Sequence, residues 1–412
     1  MEATAAGAPK HPMLLTVLFV GVLMGALDIA IVGPAMPAIQ AQFGVDDRAM
    51  SGIFSIYVLF NLIGTPLMAK LSDRFGRRSV YTLAVLLFAL GSLLVAVSPS
   101  FGMLLGGRAL QAFGAGGVFP VASAVVGDVY PPEKRGGPLG MIGAVFGLAF
   151  LVGPPLGAGL LRFGWHWLFL INLPIALAVM AMGWKVLPIK RSSDLKPFDR
   201  VGMALLTVML SALVYGVTHL NTSDWAMSLR SLQVLPFLLV AAALIPLFWK
   251  AERRAIDPIL TPALFQSRQV VLAVSFAAIA GLGEAGMVFL PKLAASELGM
   301  PLTQASFMMM PVVLAMAVGA PVGGRLLDRI GSKAVVLPGL AILAAGMGVF
   351  GLAGPSRYSF IAAGALVGLG LAALLGAPLR YILLNETGED NKASAQALLT
   401  TFTSVGQLLS GA

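Results

Sequence analysis

The chain alternates between long apolar runs and short polar breaks. Thirteen runs are long enough to cross a bilayer, at about 13–39, 50–71, 79–97, 101–127, 137–161, 165–187, 201–219, 232–249, 269–295, 303–327, 334–354, 358–384 and 393–412. A hydrocarbon core of ~30 Å takes about 20 such residues as helix, the form in which a single segment satisfies its own backbone without water. The first run carries Asp28 and two prolines and continues to about Ile39, too long and too interrupted for a cleaved leader, so it is the first span. The last run stops at Ala412 with no basic tail and no return helix. An odd number of spans therefore points to a truncated C-terminus that lacks a fourteenth.

The polar breaks set the orientation. With the N-terminus placed in the cytoplasm, twenty Lys and Arg fall in inside segments and five outside (Arg48, Arg162, Arg230, Lys292 and Arg357), while Arg108 and Arg380 stay within spans. Inside loops of membrane proteins are the basic ones, so the N-terminus is expected to be cytoplasmic. The five tryptophans fall at span ends or in a loop, as an aromatic belt requires.

Composition agrees with this map. The chain is 58% hydrophobic and 11% charged, with a mean hydropathy of +0.91, more apolar surface than a soluble core can bury. A net charge of +9 would suit nucleic acid, but the basic residues are scattered in small clusters between runs, so no nucleic-acid partner is expected. With no cysteine and three distant histidines there is no disulfide and no metal-ligand spacing. A nucleotide-driven pump is disfavoured because there is no Gly-Lys dipeptide and no Walker A pattern. No H-E-x-x-H or credible nucleophile constellation supports an enzyme.

The chain is also duplicated. A shift of 255 residues superposes Gly44 on Gly299, Ser51 on Ser306, Gly64 on Gly319, Pro66 on Pro321, Asp73 on Asp328, Arg74 on Arg329 and Gly76 on Gly331. Apolar spans share Leu and Val by chance, but not Asp-Arg-x-Gly in the loop that follows. Parallel repeats about a membrane-normal axis place such loops on one side. Eight spans separate the copies, so a helix pair at about 201–249 is inserted between two six-helix bundles. The expected division is 1–188, then a linker with the inserted pair at 189–267, then 268–412, the polar stretch from Lys190 to Arg200 being the linker.

These residues resemble the major facilitator superfamily, and within it the fourteen-span drug:proton antiporters. Ala69-Lys-Leu-Ser-Asp73-Arg74-Phe-Gly76-Arg77-Arg78 is similar to the family's loop motif, with Ala69 in place of the usual Gly, and Gly324 to Lys333 is its second copy. Arg108-Ala-Leu-Gln111-Ala-Phe-Gly114 resembles the fourth-span motif, except at Ala112. Gly143, Gly147, Gly153, Pro154 and Gly157 resemble the fifth-span antiporter motif, and Trp165 to Pro174 a segment common in these exporters. Leu27-Asp28 with Ala35-Met36-Pro37 resembles the first-span motif, departing from it at Ala30 and Gly33. The resemblance implies an all-α major facilitator fold and a monomeric bacterial inner-membrane exporter. It would move small amphipathic compounds by alternating access, using a proton gradient and no cofactor, with lipid, substrate and protons as partners. A proton-coupled exporter of a single metabolite or lipid is the alternative, and a non-transporting receptor a remote one.

Individual residues carry expectations of their own. A carboxylate in mid-span is costly unless it meets a partner or a wet cavity. Asp28 and Glu284 are therefore candidates for protonation or cation binding, against structural hydrogen bonds, and are expected to face each other across a central cavity. Arg108 needs an anion, a carbonyl or water; the resemblance implies proton transfer, with bundle packing as the alternative. Arg380 is expected to snorkel to the nearby interface. Asp73, Arg74, Gly76, Arg77 and Arg78, with Asp328, Arg329 and Gly331, form a switch rather than a solvated turn, and Asp128 is a partner for Arg77 or Arg78. The glycines around Pro154 serve close helix packing. Met308 to Met310 are core or lipid-facing rather than a drug pocket.

Overall fold

The computed structural model describes residues 11–189, 197–220, 224–287, 290–354, 356–388 and 391–411. The linker expected at Lys190 to Arg200 thus lies outside the described residues from 190 to 196. The described chain is helical throughout its regular structure. The first bundle comprises α1 (His11–Phe43), α2 (Asp47–Phe75), α3 (Arg77–Ala96), α4 (Phe101–Val129), α5 (Gly136–Leu161), and one span split into α6 (Trp167–Leu170) and α7 (Asn172–Val186). An inserted pair follows, α8 (Arg200–Thr218) and α10 (Leu235–Arg254), with the short α9 (Trp225–Arg230) between them. The second bundle holds α11 (Arg268–Gly286), the short α12 (Leu290–Leu298) and α13 (Leu302–Ala305), α14 (Met310–Ile330), α15 (Ser332–Leu352), α16 (Arg357–Leu375), α17 (Pro378–Glu386) and α18 (Lys392–Gly411).

Among the described residues twelve helices are long and apolar enough to span a membrane, with α16 and α17 counted together. The thirteenth expected span is α18, a helix of twenty residues that is more polar, with Thr400, Thr403, Ser404 and Gln407 along one side. Within the expected run at 269–295, α11 ends at Gly286 and α12 begins at Leu290, and the run at 358–384 turns at Gly376, where a backbone ψ of −95° ends α16.

Local chemistry explains the helix boundaries. The side chains of Asp46, Ser100 and Asp199 accept from backbone N–H groups in the first turns of α2, α4 and α8, replacing bonds those amides cannot make within the helix. Gly76 and Gly331 take positive φ, 95° and 82°, where a Cβ is disfavoured. Gly44 and Gly299 do the same at 62° and 60°, so the duplication extends to backbone conformation.

Lipid-facing stripes survive at helical spacing, as on α3 with Leu83, Leu86, Leu90, Leu93 and Val97 exposed. In the first bundle α3 and α2 pack on α4, and α1 on α5 and α7; in the second α11 packs on α18 and α16 on α14 and α15. The bundles meet along two seams, α5 against α14 and α2 against α18. The inserted pair packs on itself and against α2, tied there by Lys70 to Asp257 at 2.5 Å. The ends of α2 and α14 lie on one face of the molecule, the basic face.

The tryptophans do not all form a belt. Trp167 and Trp184 are exposed, but Trp165 is buried and donates to Gln42 Oε1 at 2.7 Å, filling the core at the face opposite the basic one.

Candidate functional site

Asp28, half-way along α1, is fully buried. Its Oδ2 accepts from Arg108 Nη1 at 2.6 Å, and its Oδ1 from Gln111 Nε2 at 2.7 Å and Asn172 Nδ2 at 3.3 Å. Gln111 and Asn172 also donate to Ser92 Oγ at 2.7 and 3.2 Å. Arg108 Nη1 further reaches Gln111 Oε1 at 2.6 Å, and its guanidinium lies 4.3 Å from the Tyr57 ring centre. Four helices, α1, α3, α4 and α7, therefore close around one neutral ion pair. A buried charge is tolerated when it is paired and its remaining lone pairs are bonded, and both conditions hold for Asp28.

A cavity of about 160 Å³ lies between the bundles at mid-depth. The first bundle lines it with Gly25, Ile29, Tyr57, Asn61 and Phe119, the second with Glu284, Met316, Leu371, Arg380 and Gln407. Its walls are mostly apolar with a few polar groups, the usual make-up of a small-molecule site. Glu284 accepts from Gln407 Nε2 at 2.9 Å. Arg380 is 4% exposed and lies 3.8 Å from the centre of the Phe119 ring.

This geometry corrects two expectations. Asp28 and Glu284 do not face each other across the cavity: Glu284 lines it, while Asp28 is enclosed within the first bundle, with Tyr57 between Arg108 and the open space. Arg380 does not snorkel. The break at Gly376 starts α17 in a new direction, which turns its side chain inward instead of along a straight helix to the interface. Of the methionines, Met308 to Met310 stay away from the cavity and Met316 lines it.

The two loop copies do related work on the basic face. Asp73 accepts from the backbone N–H groups of Ala393 and Ser394, at 3.0 and 2.8 Å, and from the Ser394 hydroxyl at 2.6 Å. It thus sits on the N-terminus of α18 in the other bundle, where unpaired amides and the helix dipole favour an anion. Asp328 accepts from Gly136 and Gly137 N–H at 2.7 and 3.0 Å, on the N-terminus of α5. Each bundle therefore caps a helix of its neighbour.

The first copy is more elaborate. Arg77 bridges Asp73 and Asp128, reaching Asp128 at 2.8 Å, and the Lys392 ammonium lies 3.2 Å from Asp128. The partner of Asp128 is thus Arg77, whereas Arg78 donates to Leu187 O. The second copy has Ser332 where Arg77 stands, and among the described residues no such network surrounds it. Arg74 lies over Phe75, and Arg329 is exposed. Sequence reasoning missed Lys392, Ser394, Ser92 and Gln407. In the sequence Lys392 is only one of the twenty inside basic residues that set orientation.

The glycines of α5 serve two partners. A Cβ on Gly140 would lie 2.5 Å from Ala320 O, on Gly143 2.8 Å from Gly376 Cα, and on Gly147 2.8 Å from Ala317 N, so this half of α5 meets the second bundle backbone to backbone. A Cβ on Gly153 would lie 2.6 Å from that of Ala30, and Gly157 faces Ile31, so the other half packs on α1. Pro154 is exposed beside them. At the α2–α18 seam, Ala69, Ala393 and Ala397 meet instead.

Two crossed seams around a mid-depth cavity, built from duplicated halves, suit one architecture, and a family model described as Major Facilitator Superfamily matches residues 18–411. The chain belongs to the Major Facilitator Superfamily. It is accordingly a multi-pass membrane transporter, not an enzyme. An uncharacterized MFS-type transporter of Bacillus subtilis, YfiU, is 35% identical over 402 residues, 96% of this chain and 77% of that protein. Multidrug resistance protein 3 of the same organism is 31% identical over 329 residues, 79% of this chain and 63% of that one. The multidrug resistance protein B homolog of Mycobacterium tuberculosis is 30% identical over 332 residues, 80% and 61% of the two chains. The chain thus spans less than two thirds of the length of the latter two relatives. The solved structure of the human organic anion transporter MFSD10 shares the major facilitator fold, with a TM-score of 0.74 at 19% identity, covering 98% of this chain and 92% of that one.

Proposed function

We propose that the protein exports small amphipathic compounds in exchange for protons by alternating access, with the basic face in the cytoplasm of a bacterial inner membrane. The observation that carries this reading is the cavity between the bundles, whose basic end is shut by contacts that cross from one bundle to the other. Breaking those contacts lets the bundles rock about the cavity, the motion by which such repeats alternate access. The multidrug names of two relatives support an amphipathic cargo. Asp28, paired with Arg108, is the leading proton carrier: a proton on Asp28 dissolves the ion pair and frees Arg108, which changes how the first bundle packs. Asp73 and its partners act as the gate.

The test is uptake of fluorescent amphipathic dyes into inside-out vesicles with and without an imposed pH gradient, for the protein and for Asp28→Asn. Gradient-driven uptake that vanishes in the variant is expected. Equal uptake in both would remove Asp28 from coupling, and no gradient dependence would overturn the antiport reading.

A further inference from the structure

Among the described residues four arginines are buried, and three of them are answered by oxygen. Arg77 bridges two carboxylates, and Arg108 binds Asp28 at 2.6 Å. Arg135 donates to the Gly127 and Tyr130 carbonyls at 2.8 and 3.0 Å and to Asn385 Oδ1 at 3.1 Å. Arg380 differs. Among the described residues the one hydrogen bond of its side chain is a long 3.5 Å contact from Nη1 to Gln396 Oε1, and its Nε–H is buried without a partner there. Among the described residues no carboxylate lies within ion-pair distance of it; Glu284 shares the cavity and acts on Arg380 only through space, its hydrogen bond being with Gln407.

A guanidinium stays charged at any physiological pH, so burial without a counter-ion is costly unless an anion arrives to supply one. Arg380 lines the cavity, and so does the Phe119 ring stacked on it at 3.8 Å. The planar fork of an arginine matches carboxylate, sulfonate and phosphate groups through paired N–H bonds. The apolar walls at Ile29, Met316 and Leu371 suit a hydrophobic body attached to such a group.

The geometry points to Arg380 as the subsite for an anionic headgroup on an amphipathic substrate, so that the transported class is amphipathic acids rather than lipophilic cations. This rests on the exporter reading above for its physiological meaning, but it is tested by equilibrium binding, which needs no flux.

The probes are a naphthalene sulfonate dye and its naphthalene ammonium counterpart, titrated into purified protein in a neutral detergent. The sulfonate is expected to bind about tenfold more weakly to Arg380→Gln, and to lose less in Arg380→Lys, which keeps the charge without the fork. The ammonium dye is expected to bind Arg380→Gln no more weakly than the unaltered protein. Sulfonate affinity unchanged in Arg380→Gln overturns the proposal, whatever the vesicles show. Glu284→Gln gives an independent check: removing a neighbouring negative charge is expected to tighten sulfonate binding by about threefold, and weaker binding would overturn the assignment. Competition by a short-chain phosphatidylglycerol distinguishes the source of the anion. Failure to displace the dye at matched concentration supports a small-molecule acid, whereas displacement at lower concentration overturns that source in favour of a lipid headgroup. Sulfonate binding that depends on Arg380, without gradient-driven uptake of either dye, would leave this subsite standing and sink the antiport reading.

Discussion

Arg108 and Arg380 are both buried in the membrane region, one in each bundle, and both leave Nε unbonded. They differ in what stands opposite. Arg108 has a carboxylate at 2.6 Å inside its own bundle, where Gln111, Asn172 and Ser92 complete the shell. Arg380 has a ring, a long amide contact and a cavity. The first arrangement is self-sufficient and responds to what changes its charge, such as a proton. The second is incomplete and responds to what fills it. One fold thus separates the group suited to coupling from the group suited to cargo.

The largest effect should come from breaking the complete pair. Asp28→Asn strands a buried guanidinium and is expected to lower stability by about 3–5 kcal/mol, read as a fall in melting temperature, along with loss of gradient-driven flux. The double variant Asp28→Asn with Arg108→Gln should recover much of the stability and none of the coupling. If the single variant melts like the unaltered protein, the pair is not what holds the four helices together.

An intermediate effect is expected at the gate. Asp73→Asn removes the charge that faces the α18 N-terminus and Arg77, and should weaken the closed seam by about 2 kcal/mol. Slower flux with substrate binding retained is expected; lost binding would argue against a gating role. Because the chain has no cysteine of its own, a cysteine pair introduced across the α2–α18 seam reports closure cleanly, and should cross-link less in the variant. Asp328→Asn, at a half-exposed position without the Arg77–Asp128 network, should reduce cross-linking at the α5–α14 seam by less. The smallest effect tests the other side of the comparison. Arg380→Gln should change stability by less than about 1 kcal/mol, since the charge it removes has no carboxylate in direct contact among the described residues. A loss as large as that of Asp28→Asn would mean that Arg380 has a structural counter-charge after all.

Much of the fold is legible in the chain. Apolar runs define spans because lipid leaves helix as the solution for one segment, and the matched Asp-Arg-x-Gly loops reveal the duplication. The pairing inside the first bundle is not legible. Ser92, Gln111 and Asn172 come from three helices, and Asn172 lies 144 residues from Asp28, a separation no local pattern encodes. Arg380 was visible as a charge in a span, but its direction depends on the break at Gly376, and a straight-helix picture sends it to the interface. The α18 helix was legible from its apolar residues, while its polar side, Thr400 to Gln407, which keeps it out of the twelve membrane-spanning helices, belongs to the cavity and becomes meaningful only once the bundles are joined.

The crossed caps on the basic face have a consequence for leakage. Asp73 holds α18 and Asp328 holds α5, each from the opposite bundle, so that face parts only when both let go. If each contact favours closure by about 2 kcal/mol, each alone opens spontaneously roughly once in 30 trials, and the two together roughly once in a thousand. Duplicating the loop therefore squared the seal, as a second lock on one door does, and any gradient across the membrane is insulated by a product of two small probabilities.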